Sequence, residues 1–234
     1  MQRRQFTVRS AGAAIGWGLP LGLSLWTGSV QAQGLSSTDA ASGIRVALER
    51  GAVAAVAALG RQGGFLDDPR VRIPLPGFLN DAAKLLKATG QGAKVEELVA
   101  AMNRAAERAV PEARQMLVAA AKGITAQDAV AIVRGGDTSV TDYFSGKTRE
   151  PLGAQFLPIV TQATQKVDLA ERYNAVAGKA AGMGLLKRKD ANLQTYITGK
   201  ALDGLYFMIG EEEKKIRRDP VGAGSDILRK VFGR

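Results

Sequence analysis

The sequence predicts an all-α fold, a multi-helix bundle crossed by a proline-rich loop strap and finished by a long C-terminal helix. Three observations carry that prediction. Apolar residues recur at spacings of three and four along nearly the whole chain after residue 33. Alternating or β-branched runs of strand length are missing. Glycine, proline and small capping residues cut the pattern into segments of ordinary helix length.

The first helix is expected from Asp39 to Leu59. Ile44, Leu48, Ala52, Ala55 and Leu59 mark its buried stripe, Thr38 is its cap and Gly60 its stop. Its second half, AVAAVAAL, is apolar on nearly all sides, as suits a helix surrounded by others. The pattern then breaks. Gly63, Gly64, Pro69, Pro74, Pro76 and Gly77 fall within 15 residues, and Ile73 and Leu75 each precede a proline that drives them toward an extended backbone. Phe65, Leu66, Val71, Ile73 and Leu75 give this segment enough apolar area to pack as a structural strap, with a ligand lid as the alternative.

Further helices follow at Pro76 to Ala88, Lys94 to Ala109, Glu112 to Lys122 and, after the box-like Thr125 and Asp128, as far as Arg134. Gly135 and Gly136 stop that helix, and GGDTSVTDYFSGKT reads as a turn, a short helix capped from Ser139 to Asp142, and a turn. The segment from Thr148 to Lys166 is helical but must bend or break at Pro158, which deletes a backbone donor and clashes with the preceding turn. Asp168 to Ala181 forms another helix, Asp190 to Arg218 the longest, closed by Asp219 and Pro220, and Ser225 to Phe232 a docking tail.

The first 32 residues read differently, as a cleavable export signal. Arg3, Arg4 and Phe6 resemble a twin-arginine pattern, and Val30 and Ala32 place small residues where a signal peptidase cuts. A membrane anchor is the competing reading. The apolar run from Ser10 to Trp26 has only 17 residues, interrupted by Pro20 and four glycines, against about 20 for a spanning helix. Cleavage after Ala32 leaves 202 of the 234 residues as a single helical domain, 33–234, in the periplasm, with no stable membrane insertion. Trp17 and Trp26 leave with the signal, and the loss of Arg3, Arg4 and Arg9 lowers the net charge from +10 to +7.

The chain has no histidine and no cysteine. That removes Ser-His-Asp and Cys-His nucleophiles, imidazole or thiolate zinc sites, and a histidine base. Carboxylate, Lys or Tyr chemistry and oxygen-ligated cations remain conceivable, but no catalytic residue, cofactor or metal site is assigned. The candidate binding or buried polar residues are Arg72, Arg104, Asp137, Asp142, Tyr143 and Glu212. Glu212 falls where the long helix's apolar stripe, Leu193, Ile197, Ala201, Leu205, Met208 or Ile209, and Ile216, wants its next member. A buried acid there needs a partner such as Arg72, Arg104 or Lys215; the favoured alternative leaves Glu212 half-exposed where the helix end splays outward. The neighbouring charges read as i,i+4 pairs on a solvated face, Glu211 with Lys215 and Glu213 with Arg217.

Positive charge is scattered, densest at Lys187, Arg188 and Lys189, with no interleaved aromatics to stack bases. Nucleic acid is therefore not an expected partner. Weak attraction to anionic lipid or an acidic envelope polymer fits better, with ordinary solubility the default reading of the charge, and an apolar small molecule fits a cleft between the strap and the kinked helix. The role expected is a binding or envelope-assembly module, with a structural envelope protein and a carboxylate-dependent enzyme as alternatives.

GFLDDPRVRIPLPG, MNRAAERAVP, GGDTSVTDYF, TGKALDGLYFMIGEEEKKIRRDP and LRKVFG, in that order, resemble the bacterial family known as domain of unknown function 4197. The resemblance runs from about Gly34 to Arg234. It implies an exported, all-helical domain and brings no reaction or catalytic residue with it. The stretch from Gly178 to Lys189, rich in Gly, Ala and Lys, departs from the more proline- and valine-containing link of the family's pattern.

Overall fold

The computed structural model describes residues 36–79, 83–84, 87–90, 92–133, 135–165, 171, 173–174, 192–222 and 226–232. Among them there is no strand, and the unit Gly34–Arg234 is an all-α bundle. Its helices are α1 (Ser37–Leu59), α2 (Gly92–Ala109), α3 (Ala113–Lys122), α4 (Ala126–Val133), α5 (Ser139–Thr164), α6 (Leu193–Arg218) and α7 (Asp226–Phe232). Two 3-10 turns, Gly77–Leu79 and Val110–Glu112, join them.

Helix α1 is the hub, packing on α3, α4, α6 and α7, while α5 and α6 form the other principal pair and α2 lies against both. Its sequence explains the position. Ala40, Ala41, Ile44, Ala47, Leu48, Ala52, Ala55, Val56 and Leu59 are all buried, so the helix is covered on several sides by neighbours that approach its small residues closely. A Cβ at Gly43 would lie 2.5 Å from Cγ2 of Val231, so the glycine is what admits α7. The N-cap is Ser36, two residues before the expected Thr38: its Oγ accepts from the Asp39 amide at 3.0 Å and donates to the Asp39 carboxylate. Asp39 in the first turn makes that cap reciprocal, which Thr38 could not do with any acid at its own third position.

Helix α2 passes without a non-helical residue through the turn Val110–Glu112 into α3, because Pro111 sits where a missing N–H costs least. The box at Thr125 forms as the sequence suggests, with the Asp128 amide donating to Thr125 Oγ1 at 3.1 Å and the Thr125 amide to Asp128 Oδ2 at 3.2 Å. Hydrogen bonds from Thr125 and Tyr143 hold the Asp128 carboxyl below its ordinary 3.8. A carboxyl depressed by folding stabilises above its unfolded pKa and loses that contribution as pH falls through the folded value. Thr125→Ala should therefore lower the melting temperature at neutral pH and flatten its decline on acidification below about pH 4, read by thermal melts across that range.

The region expected to hold a short helix, a turn and a bent helix is one helix, α5, running through both Pro151 and Pro158. Val140, Phe144, Thr148, Leu152, Phe156 and Val160 explain this continuity: at four-residue spacing they keep one face buried from end to end. That burial outweighs Gly146 and two absent backbone donors. The expected helix from Asp168 to Ala181 and the link from Gly178 to Lys189 lie mostly outside the described residues, although 171 and 173–174 are helical and Tyr173 is buried. The expected helix from Pro76 to Ala88 opens as the turn Gly77–Leu79, with 83–84 and 87–88 helical.

Candidate functional site

The strap is core. Phe65, Val71 and Ile73 are buried, and Phe65 reaches its place because residue 204 is glycine, where a Cβ would stand 2.7 Å from Cε1 of the ring. Gly63 takes a left-handed backbone (φ 78°) at the entry, and a Cβ on Gly64 would meet the Leu59 carbonyl oxygen at 2.5 Å. Two polar residues of α2 then fasten the strap. Asn103 accepts from the Ile73 amide at 2.8 Å and donates to the Ile73 carbonyl at 3.0 Å and to Val99 O at 2.8 Å. Glu107 accepts from the amides of Phe65 at 3.1 Å and Leu66 at 3.3 Å. At the far end the Tyr196 hydroxyl donates to the Pro74 carbonyl at 3.1 Å. An extended segment has no ladder of its own, so these side chains supply the partners its buried amides require.

The buried acid of α6 is Glu213, one residue beyond the candidate Glu212, which is half-exposed in line with the favoured reading of the sequence. Its oxygens accept from the amides of Val140 (3.3 Å) and Thr141 (3.0 Å), from Thr141 Oγ1 (2.6 Å) and from Arg217 Nε (2.9 Å). Arg217 also donates to Ser139 Oγ, which itself donates to the Ile132 carbonyl. Glu213 therefore caps the N-terminus of α5 from another helix, where free amides and the helix dipole favour an anion. With both Met208 and Ile209 apolar, the stripe can be continued to 212 or to 213 with equal regularity; the start of α5 selects 213. Glu212 is only part-buried, beside Gly51 of α1, and pairs with Lys215. The supposed solvated pairs change likewise: Glu211 meets Lys214 at 2.8 Å, and the Glu213–Arg217 pair is buried.

The remaining candidates do not converge on Glu212. Arg72 is exposed and lies 3.8 Å from Glu96, which Lys87 also pairs. Arg104 is exposed on α2, and Asp137 is exposed in the turn before α5. Asp142 accepts from Thr138 Oγ1 at 3.1 Å on the surface of the first turn. Tyr143 is half-buried with Lys147 5.6 Å from its ring centre, and burial, then its bond to Asp128, push its hydroxyl pKa up. A second tyrosine, Tyr206, was not singled out from the sequence. It shares a 2.6 Å hydrogen bond with Thr148 in the core under Arg149, which also pairs with Asp203. Burial raises the Tyr206 pKa despite those neighbours.

Asn103, Glu107 and Glu213 are the buried polar residues of this region that the sequence reading did not place as buried. Asn103 and Glu107 could have been found, being an i,i+4 polar pair on the buried face defined by Val95, Val99, Met102 and Ala106. Among the described residues no group of three or more carboxylates could hold a metal ion, and Thr198 Oγ1 is the one buried side-chain polar atom without a partner. The site thus consists of two carboxylates and an amide whose hydrogen bonds close on backbone, which is chemistry for positioning chain segments.

A family model described as protein of unknown function (DUF4197) matches residues 34–233. The chain belongs to that family. No curated protein and no solved structure matches it.

Proposed function

We propose that this is an exported protein of the cell envelope that acts by binding or holding another component rather than by catalysis. The observation that carries the reading is the closure of Asn103, Glu107 and Glu213 on the amides of residues 73, 65, 66, 140 and 141. Those groups are committed to architecture, which leaves the exterior to meet partners. The lack of His and Cys and the surface placement of Asp137 and Asp142 favour binding over a carboxylate-dependent reaction. The strap supports a rigid platform more than an apolar cleft, because its own Phe65 fills the space over Gly204.

Export rests on the Arg3-Arg4 signal and the Val30 to Ala32 junction. Protein recovered from the envelope fraction should begin at Gln33, or its cyclised form, and emit only tyrosine fluorescence, since Trp17 and Trp26 precede the cut. Changing both Arg3 and Arg4 to Lys should retain it in the cytosol. Recovery of the full-length chain with tryptophan emission, unaffected by that change, would refute export.

A further inference from the structure

The cations of α6 and those of the helical run 92–122 differ in how they are paired. Along α6 four of five are neutralised locally, Lys200 by Asp203, Lys214 by Glu211, Lys215 by Glu212 and Arg217 by Glu213, while Arg218 sits exposed in the last turn. Along the helical run 92–122 four of five are not. Arg104, Arg108, Arg114 and Lys122 are all exposed and make no ion pair or hydrogen bond among the described residues. The nearby exposed acids Glu97 and Glu112 close no pair with them.

These residues share a side of the helix. Arg104, Arg108, Pro111 and Arg114 follow one another at spacings of four, three and three through backbone that is helical across the Val110–Glu112 turn. Lys122 lies two further four-residue steps on, so the row follows about 27 Å of helical backbone. Gly60, at the end of α1, abuts the row, since a Cβ there would be 2.9 Å from Cγ of Pro111. Like charges at i,i+4 oppose helix formation, so the Arg104 and Arg108 pair carries a repulsion that no acid among the described residues offsets by an ion pair.

We propose that this row is the docking face for an anionic phospholipid surface, contacted through its headgroup phosphates without insertion. The inference deepens the binding role proposed above and rests on it. Arginine suits the phosphate, since its planar fork can engage two oxygens at once. A row of separated, exposed cations matches an extended charged plane. A protein partner would need a large apolar anchor, and the exposed large apolar side chains among the described residues, Leu157, Phe207 and Val221, lie on α5, on α6 and after α6. Nucleic acid would need aromatic residues along the row, and there are none. No described helix is long and apolar enough to cross a membrane, consistent with contact at the headgroups.

The test uses the protein as cells produce it, sedimented with vesicles of equal parts phosphatidylglycerol and phosphatidylcholine and with vesicles of phosphatidylcholine alone. Binding should require the anionic lipid and weaken with salt. Arg104→Gln, Arg108→Gln and Arg114→Gln together should weaken it roughly 100-fold, on the scale of one tenfold-or-less step per cation near the surface. Lys200→Gln, Lys214→Gln and Lys215→Gln, an equal change of net charge, should cost less than about a tenth of that effect. The single Arg108→Gln should reduce binding several-fold with an unchanged or higher melting temperature, a combination a merely structural residue would not give. Equal losses from the two triple variants, binding to phosphatidylcholine alone, or capture of soluble polyphosphate without vesicle binding would each overturn the proposal. Failure of vesicle binding in a protein correctly processed at Gln33 would remove the lipid face and leave export and the general binding role standing.

Discussion

Replacing Glu213 with alanine should lower the unfolding free energy by about 3 to 5 kcal/mol, because it breaks the buried ion pair with Arg217. It also orphans the Val140 and Thr141 amides at the start of α5. Glu213→Gln preserves the shape and one acceptor oxygen, and should cost roughly 1 to 3 kcal/mol. The neighbouring Glu212→Gln removes only a part-exposed pair with Lys215 and should stay within about 0.5 kcal/mol. Denaturant melts of the three variants measure the difference. Equal effects at 212 and 213 would show that α6 presents its acids to the bundle in another phase.

Phe65→Ala should be comparably damaging, about 3 to 5 kcal/mol, since it removes a fully buried ring and leaves a cavity that the strap cannot collapse while Asn103 and Glu107 hold its backbone. The complementary change tests the same contact from the other side. Gly204→Ala puts a methyl 2.7 Å from the Phe65 ring, and should destabilise by roughly 1 to 3 kcal/mol through overpacking. Combined with Phe65→Leu, which shortens the intruding group, Gly204→Ala should cost less than it does alone, giving a measurable coupling in a double-mutant cycle. Additive costs would mean the ring and the glycine do not meet.

The helices were legible where local chemistry decides them. Gly60, Gly123 and the Asp219-Pro220 pair end their helices as their composition requires, and the reciprocal Thr125 and Asp128 bonds follow from spacing alone. Misreadings arose where tertiary burial overrode local punctuation. Gly146 and Pro158 look like breaks, yet α5 continues because Phe144, Thr148, Leu152 and Phe156 remain buried across them. The candidate site was legible only in outline. An acid near the end of α6 was expected, but choosing between Glu212 and Glu213 requires knowing that the amides of α5 approach from one side. That long-range fact has no trace in the spacing of either helix. The strap's apolar residues announced their own burial; that Asn103 and Glu107 would fasten them depends on pairing segments about 30 to 42 positions apart.

Native-state hydrogen exchange at the amides of Phe65, Leu66, Ile73, Val140 and Thr141 tests most directly the claim that the buried polar groups are architecture. If Asn103, Glu107 and Glu213 tie those segments into the bundle, the five amides should exchange only with global unfolding, at the protection shown by amides in the middle of α1 such as Ala52. Exchange of residues 65, 66 and 73 through a low-energy local opening, well before α1, would contradict the account and make the strap a lid.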